Sequence, residues 1–334
     1  MDKILITGGA GFIGSNMAEH FIKNNWEVVV FDNFSRSGVG SNAYEIEKLG
    51  VQCVWGDIRN KEDLFGLEDF DAIINLAANP GIPWSIENPI YDAKTNLLGA
   101  LNVFELAREC DACVIQASTN KVYSDEINDI KISKRPTRYE YPEQYSFGIN
   151  ETFPVDGRGR PHSPYGCSKL AADIYAQEYN ITFNVPTVCC RMSAIYGPRQ
   201  MGVSEQGWVV WFMNAKKKGL PLEIFGDGLQ VRDLLYIDDL CRLYYELVTN
   251  INSYRGQVFN VGGGYKNTLS LVELIDWLEL RDGKEISVEY KDWRVADHRV
   301  YISDIRKVMA VTGWQPEVSV EQGLNKTWGW ICER

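Results

Sequence analysis

TGGAGFIG, residues 7–14, follows the apolar run KILIT, residues 3–7, and leads into residues 15–25, whose apolar side chains recur at helical spacing. Gly8, Gly11 and Gly14 stand three apart. That spacing supplies a tight turn, close approach of the backbone to a pyrophosphate and close packing of a helix on a strand. The free N–H groups at the start of such a helix are ready donors for phosphate. A plain structural turn would accept the same glycines. The strand before them and the helix after them select a dinucleotide site instead. Gly8, Gly11, Phe12, Ile13 and Gly14 are therefore candidate cofactor residues. Asp32 closes a second apolar run 21 residues beyond Gly11, with Asn33 beside it. A carboxylate there suits two ribose hydroxyls and repels an added phosphate, which favours NAD over NADP; Arg36 keeps NADP open. Asp57 and Ile58, after a third run, are placed to flank the adenine.

Working outward from this turn, short apolar runs at residues 27–31, 51–55, 71–76 and 112–117 alternate with helical patterns such as 90–109. Strands alternating with helices predict right-handed βαβ units, hence an α/β fold with a doubly wound parallel Rossmann sheet. Residues 164–179 read as a further helix and 185–190 as a further strand. The expected division is a dinucleotide-binding domain over residues 1–190, with return segments near 230–262, and a smaller C-terminal substrate-binding lobe, mainly residues 191–334. The least regular stretch, 124–162, is rich in Tyr, Pro, Gly and charge, and loops that long are usually functional or mobile.

Composition narrows the partners. The chain has 334 residues, 45% of them hydrophobic and 24% charged, as in an ordinary globular protein. A net charge of -11 argues against a nucleic-acid partner, which wants a basic face. It leaves room for a phosphorylated ligand held by a few arginines. No apolar stretch reaches membrane-spanning length and the start, MDKILITGG, lacks the pattern of a secretory signal, so a cytoplasmic location is expected. Eight cysteines and three histidines include one CxxC, Cys110 to Cys113, but no second pair at zinc spacing. Structural thiols and no metal are expected.

The chemistry sits later. YGCSK places Tyr165 and Lys169 at i and i+4 on one helix face. A cation one turn from a phenol favours the phenolate and lowers its pKa, and the same lysine can hold a nicotinamide ribose. A phenol so tuned can take a proton from a substrate hydroxyl while the carbon gives up hydride. STNKVY, residues 118–123, follows the run 112–117, where strand ends open into the crevice of an α/β sheet.

In this order TGGAGFIG, Asp32, Leu76-Ala77-Ala78, the hydroxyl of STNKVY and YGCSK resemble the extended short-chain dehydrogenase/reductase family, which acts mainly on nucleotide sugars. RMSAIYGPRQ, GDGLQVRDLLYIDDL, VFNVGGG and GWQP extend the resemblance over nearly the whole chain. It implies Thr119 as the hydroxyl that bonds the reacting sugar oxygen, Tyr165 as the base and Lys169 as its partner. Leu76, Ala77, Ala78 and Asn96 fall at cofactor-side positions, and a homodimer or homotetramer is implied. In the family's 4,6-dehydratases the threonine is followed by Asp-Glu, the acid and base that expel water. Here Asn120 and Lys121 occupy those slots. An amide cannot be that acid, so dehydration is disfavoured.

STNKVY, HSPYGCSKLAAD (162–173), QGWVVWF (206–212) and QVRD (230–233) together resemble the epimerase branch that inverts C2 of a 3,6-dideoxyhexose carried on CDP. That implies NAD held tightly and regenerated in each cycle. C4 inversion of a UDP-hexose needs the same Thr-Tyr-Lys set and is the enzyme alternative. A catalytically inactive NAD-sensing protein is the other. For the substrate, Asn120, Lys121, Ser193, Arg199 and Gln206 are candidates. Arg232 and Arg299 match positions that grip a diphosphate, with interlobe salt bridging as their other reading. Trp208 and Trp211 face either the sugar or the core. Many family members have Asn ahead of the Gly-Pro-Arg turn where this chain has Ala194, so one contact to substrate phosphate is expected to be missing, Ser193 standing in for it.

Overall fold

The computed structural model describes residues 2–157, 159–204, 206–294 and 297–334. From the N-terminus, β1 (Lys3–Thr7), α1 (Phe12–Lys23), β2 (Glu27–Asp32), α2 (Val39–Glu47), β3 (Gln52–Trp55) and β4 (Ala72–Asn75) form the first half of a Rossmann unit. The short α3 (Ile82–Glu87) and α4 (Pro89–Ala93) follow, then a π-helical turn at Lys94–Leu98 that runs into α5 (Gly99–Cys110). β5 (Cys113–Thr119), the hairpin β6 (Ser133–Lys134) and β7 (Tyr139–Glu140), α6 (Ser163–Thr182), β8 (Thr187–Met192) and β9 (Ala194–Tyr196) come next. The remainder holds α7 (Trp208–Lys218), β10 (Leu222–Phe225), β11 (Val231–Tyr236), α8 (Ile237–Thr249), α9 (Ile251–Tyr254), β12 (Val258–Val261), β13 (Thr268–Ser270) and α10 (Leu271–Glu279). It ends with β14 (Val288–Lys291), β15 (Val300–Tyr301), α11 (Arg306–Thr312) and α12 (Val320–Cys332).

Seven parallel strands among the described residues make the central sheet, in the order β12-β8-β5-β4-β1-β2-β3. The order reverses between β1 and β4, the switch point over which an open α/β sheet binds its ligand. Both faces are apolar, as parallel sheets require. Ile4, Ile6, Val30 and Ile74 pack under α1 and α8, while Leu5, Val29, Ile73 and Val114 pack under α5 and α6. Of the return segments expected near 230–262, β12 joins this sheet beside β8. β11 instead anchors a second sheet with β9, β13 and β15. No helix among the described residues is long and apolar enough to cross a membrane.

Two features set the site's floor. Thr7 Oγ1 donates to Asn75 Oδ1 at 2.7 Å and Asn75 Nδ2 to Gln116 Oε1 at 2.8 Å, a buried polar ladder across β1, β4 and β5 that fixes their register. Gly14 meets the turn below it: a Cβ there would lie 2.4 Å from the Gly9 Cα, so only glycine lets α1 approach. The helix expected over 90–109 is present from Pro89 to Cys110 and contains a π turn at Lys94–Leu98. Asn96, within that turn, is 2% exposed.

Candidate active site

A cleft of about 610 Å³ runs along the carboxyl ends of the sheet strands. Gly8, Gly11, Phe12, Ile13, Gly14, Asp32, Asn33, Asp57, Ile58, Leu76, Ala77 and Ala78 line one stretch of it, and Thr119, Tyr165 and Lys169 line the end toward β5. Asp32 accepts the N–H groups of Phe34 at 2.8 Å and Ala10 at 3.1 Å. Burial lifts its carboxyl above the usual value against those donors. Asp57 is gripped by Arg59 through Nε at 2.9 Å and accepts Asn33 Nδ2 at 3.0 Å. The hydrogen bonds from Arg59 outweigh burial and hold Asp57 down at about 2. The glycine cradle, the ribose-side carboxylate and a continuous cleft leading to a tyrosine suit a dinucleotide.

At the far end Thr119 is the last residue of β5, two residues beyond the expected strand. Its hydroxyl accepts the Lys121 N–H at 3.3 Å, starting the 3-10 turn Asn120–Val122. Tyr165 comes from the first turn of α6, where its N–H donates to Ser85 Oγ at 3.2 Å. Burial pushes the phenol up to about 12, and a hydrogen bond with Thr119 pulls the other way. Lys169, one turn on, donates Nζ to the Ala117 carbonyl at 2.5 Å, and burial brings its ammonium down to about 8. This corrects the expectation of a phenol lowered by its lysine. In the protein alone both groups are desolvated, and burial is the largest cause of each shift.

The Lys169 shift carries a prediction. The folded value of about 8 lies below the unbound 10.5. Between those pH values the unfolded chain holds a proton that the folded one lacks, so stability rises with pH across the window and the cost is fully present below about 8. Lys169→Met is therefore expected to raise Tm at pH 7 by about 2–5 °C. The gain should shrink as pH climbs from 8 to 10, while turnover falls. The Ala117 carbonyl keeps a partner, Gln116 Nε2 at 3.0 Å. Thermal melts of both proteins at pH 7 and pH 10 check the sign.

Other candidates fall elsewhere. Asn96 lies beneath the cleft: its amide donates to Asp92 Oδ1 at 3.0 Å and Ser168 Oγ at 3.1 Å, and its oxygen accepts the Asn79 N–H at 2.7 Å. It acts on the cleft through Asn79, a lining residue that motif spacing missed. Lys121 pairs with Asp297 at 3.4 Å, and Arg232 with the same oxygen at 2.6 Å. Burial would raise the Asp297 carboxyl, but Arg232 and Lys121 win and hold it well below the carboxylate range. Asn120 is buried beside Thr119, whose hydroxyl reaches Asn120 Oδ1 at 3.4 Å. Ser193 lines the cleft with its hydroxyl on the Asp233 carboxylate, and Ala194 lines it too. Arg199 is not brought to the cleft: it bonds Glu19 at 2.6 Å and the Ser15 carbonyl at 3.1 Å. Arg299 is exposed, its guanidinium over Trp293. Gln206 and Trp208 line the cleft, while Trp211 packs on the core. Trp84 also lines it without a local motif to mark it, and Arg36 and Gln200 line it too, the latter at the end of RMSAIYGPRQ.

A Rossmann cleft that ends on a Thr-Tyr-Lys set defines a nicotinamide-dependent enzyme of the short-chain type, and residues 4–262 match the NAD dependent epimerase/dehydratase family, to which the chain belongs. It is 39% identical over 341 residues to CDP-paratose 2-epimerase of Salmonella typhi, with 98% of each chain covered. Among solved structures it is similar to the UDP-glucose 4-epimerase of Thermotoga maritima with UDP-glucose (TM-score 0.82, 30% identity, 99% of both chains). It is similar also to the UDP-glucuronic acid 4-epimerase of Bacillus cereus in complex with UDP-glucuronic acid and NAD (TM-score 0.81, 27% identity, 99% of both chains).

Proposed function

We propose that this protein inverts C2 of a CDP-linked 3,6-dideoxyhexose, converting CDP-paratose to CDP-tyvelose by transient oxidation and hydride return. The observation that carries the reading is the 39% identity to CDP-paratose 2-epimerase over 98% of both chains. The turn after Thr119 agrees with it. Where elimination would need an acid and a base, Asn120 is neutral and Lys121 is engaged by Asp297.

NAD, once bound, supplies the hydride acceptor and later the donor, and the positive charge of its ring favours an ionised phenol nearby. Tyr165 takes the proton of the C2 hydroxyl as the C2–H bond gives up its electron pair and the C2–O bond becomes a carbonyl. Thr119 orients that oxygen by a hydrogen bond. Lys169, fixed on the Ala117 carbonyl, sets the charge behind the phenol. After the 2-ketosugar turns, Tyr165 returns its proton to the oxygen as hydride arrives on the opposite face. Substrate contacts from Ser193 and Trp208, which line the cleft, and from Arg232 in the adjoining lobe belong to the same reading. So does a homo-oligomer, for which Ile174, Tyr175 and Ile181 on α6 offer exposed apolar surface.

The test is NMR of the protein with CDP-paratose in D2O, no NAD added. CDP-tyvelose free of deuterium at C2 is the expected product. Rapid deuterium entry at C2 would replace transient oxidation by proton abstraction. Turnover of UDP-glucose but not CDP-paratose would give the site to C4 chemistry.

A further inference from the structure

Arg36 lies in the loop after Asp32, on the ribose side of the cleft. Its Nη2 donates to Gln206 Oε1 at 2.8 Å across a separation of 170 residues. Both residues line the cofactor cleft. The rim that carries Gln206 is stitched to the Rossmann helices at its other end. Arg199 holds Glu19 of α1, and Asn42 of α2 donates Nδ2 to the carbonyls of Arg199 and Ala10, each at 3.2 Å. Met201 presses on Gly38, where a Cβ would come within 2.9 Å of it and φ is +85°. Beyond Met201, Val203 and Gln206 exchange backbone hydrogen bonds at 2.9 and 3.1 Å. Gly202 is packed so tightly that a Cβ would lie 2.6 Å from the Trp211 nitrogen.

The rim is thus held by part-buried contacts beside α1 and by α7 at its far end. The Arg36–Gln206 bond that joins it to the ribose-side loop is made by an exposed arginine. We propose that Arg36 and Gln206 form a latch over the dinucleotide, which retains it while the oxidised sugar turns. Gln206 then serves the cofactor through Arg36 rather than the sugar. The inference rests on the epimerase reading for its purpose: a reaction with no net redox change fails whenever reduced cofactor leaves before hydride is returned. An exposed charge-assisted hydrogen bond is strong enough to slow that loss and weak enough to open for loading.

The test uses the full chain loaded with NADH and no sugar, following fluorescence as excess NAD displaces it. Failure of the CDP-paratose assay therefore leaves this measurement intact. Gln206→Ala is expected to speed NADH release roughly 5- to 20-fold. Gln206→Glu, which offers Arg36 a carboxylate, should release it no faster than the parent. Thermal melts without cofactor should coincide for all three, so that a loosened rim is distinguished from a lost latch. An unchanged rate in Gln206→Ala overturns the proposal. So does an equal acceleration in Gln206→Glu, which would make Gln206 a direct contact of the dinucleotide.

Discussion

Tyr165→Phe is expected to lower kcat for CDP-paratose by about 10³- to 10⁴-fold while leaving cofactor content and fold intact. The ring is 9% exposed, and its packing survives loss of the hydroxyl. What goes is the atom that holds the proton in both half-reactions of the proposed mechanism. Thr119 keeps Lys121 N–H and Asn120 Oδ1 as partners, so the substitution leaves no stranded polar group there. Turnover, bound NAD and the far-UV spectrum measured together check this. Activity within tenfold of the parent would remove Tyr165 from the mechanism and move the base elsewhere. The same variant decides the non-enzyme alternative: a sensor whose output is NAD binding would keep its output without the hydroxyl.

The turn at Gly8 to Gly14, Asp32 and the Tyr165–Lys169 pair were legible because each is local. Spacing along one strand end or one helix fixes what they face, whatever the rest of the chain does. Long-range partners were not. Arg36 meets Gln206 170 residues away and Lys121 meets Asp297 176 away, and no periodicity encodes either. The strand ending at 117 by its apolar run continues to Thr119, because the Ser118 hydroxyl is taken by Asp173 at 2.7 Å. A polar residue with a buried partner looks, in sequence, like the start of a loop. Helical spacing over 90–109 likewise hid the π turn, since one extra residue in a turn shifts a face without erasing the pattern. The phenol's pKa was misjudged for a related reason. The i, i+4 relation gives proximity of charge but not burial, and burial dominates both groups.

Asp173 shows how far such unseen contacts reach. Its carboxylate is fully buried and accepts Arg191 Nε at 3.0 Å and Nη2 at 3.1 Å, Ser118 Oγ at 2.7 Å and Gln177 Nε2 at 2.9 Å. Arg191 in turn lies over the Tyr123 ring, 5.1 Å from its centre. Asp173→Ala removes the anion and leaves a buried guanidinium without its counter-charge, so a loss of about 3–5 kcal/mol is expected. That is a large part of the total stability of a typical domain. Urea unfolding of parent and variant reads it, and a loss below about 1 kcal/mol would mean that solvent or Tyr123 replaces the carboxylate. Asp173→Leu with Arg191→Met should recover most of the loss, because an apolar pair removes both charges at once. The recovered variant should still turn over more slowly than the parent. Asp173 stands one turn beyond Lys169 on α6 and ties that helix to β5 through Ser118 and to β8 through Arg191. A greasy pair restores burial but not the angular restraint of four directed bonds, and Lys169 depends on that restraint to meet the Ala117 carbonyl.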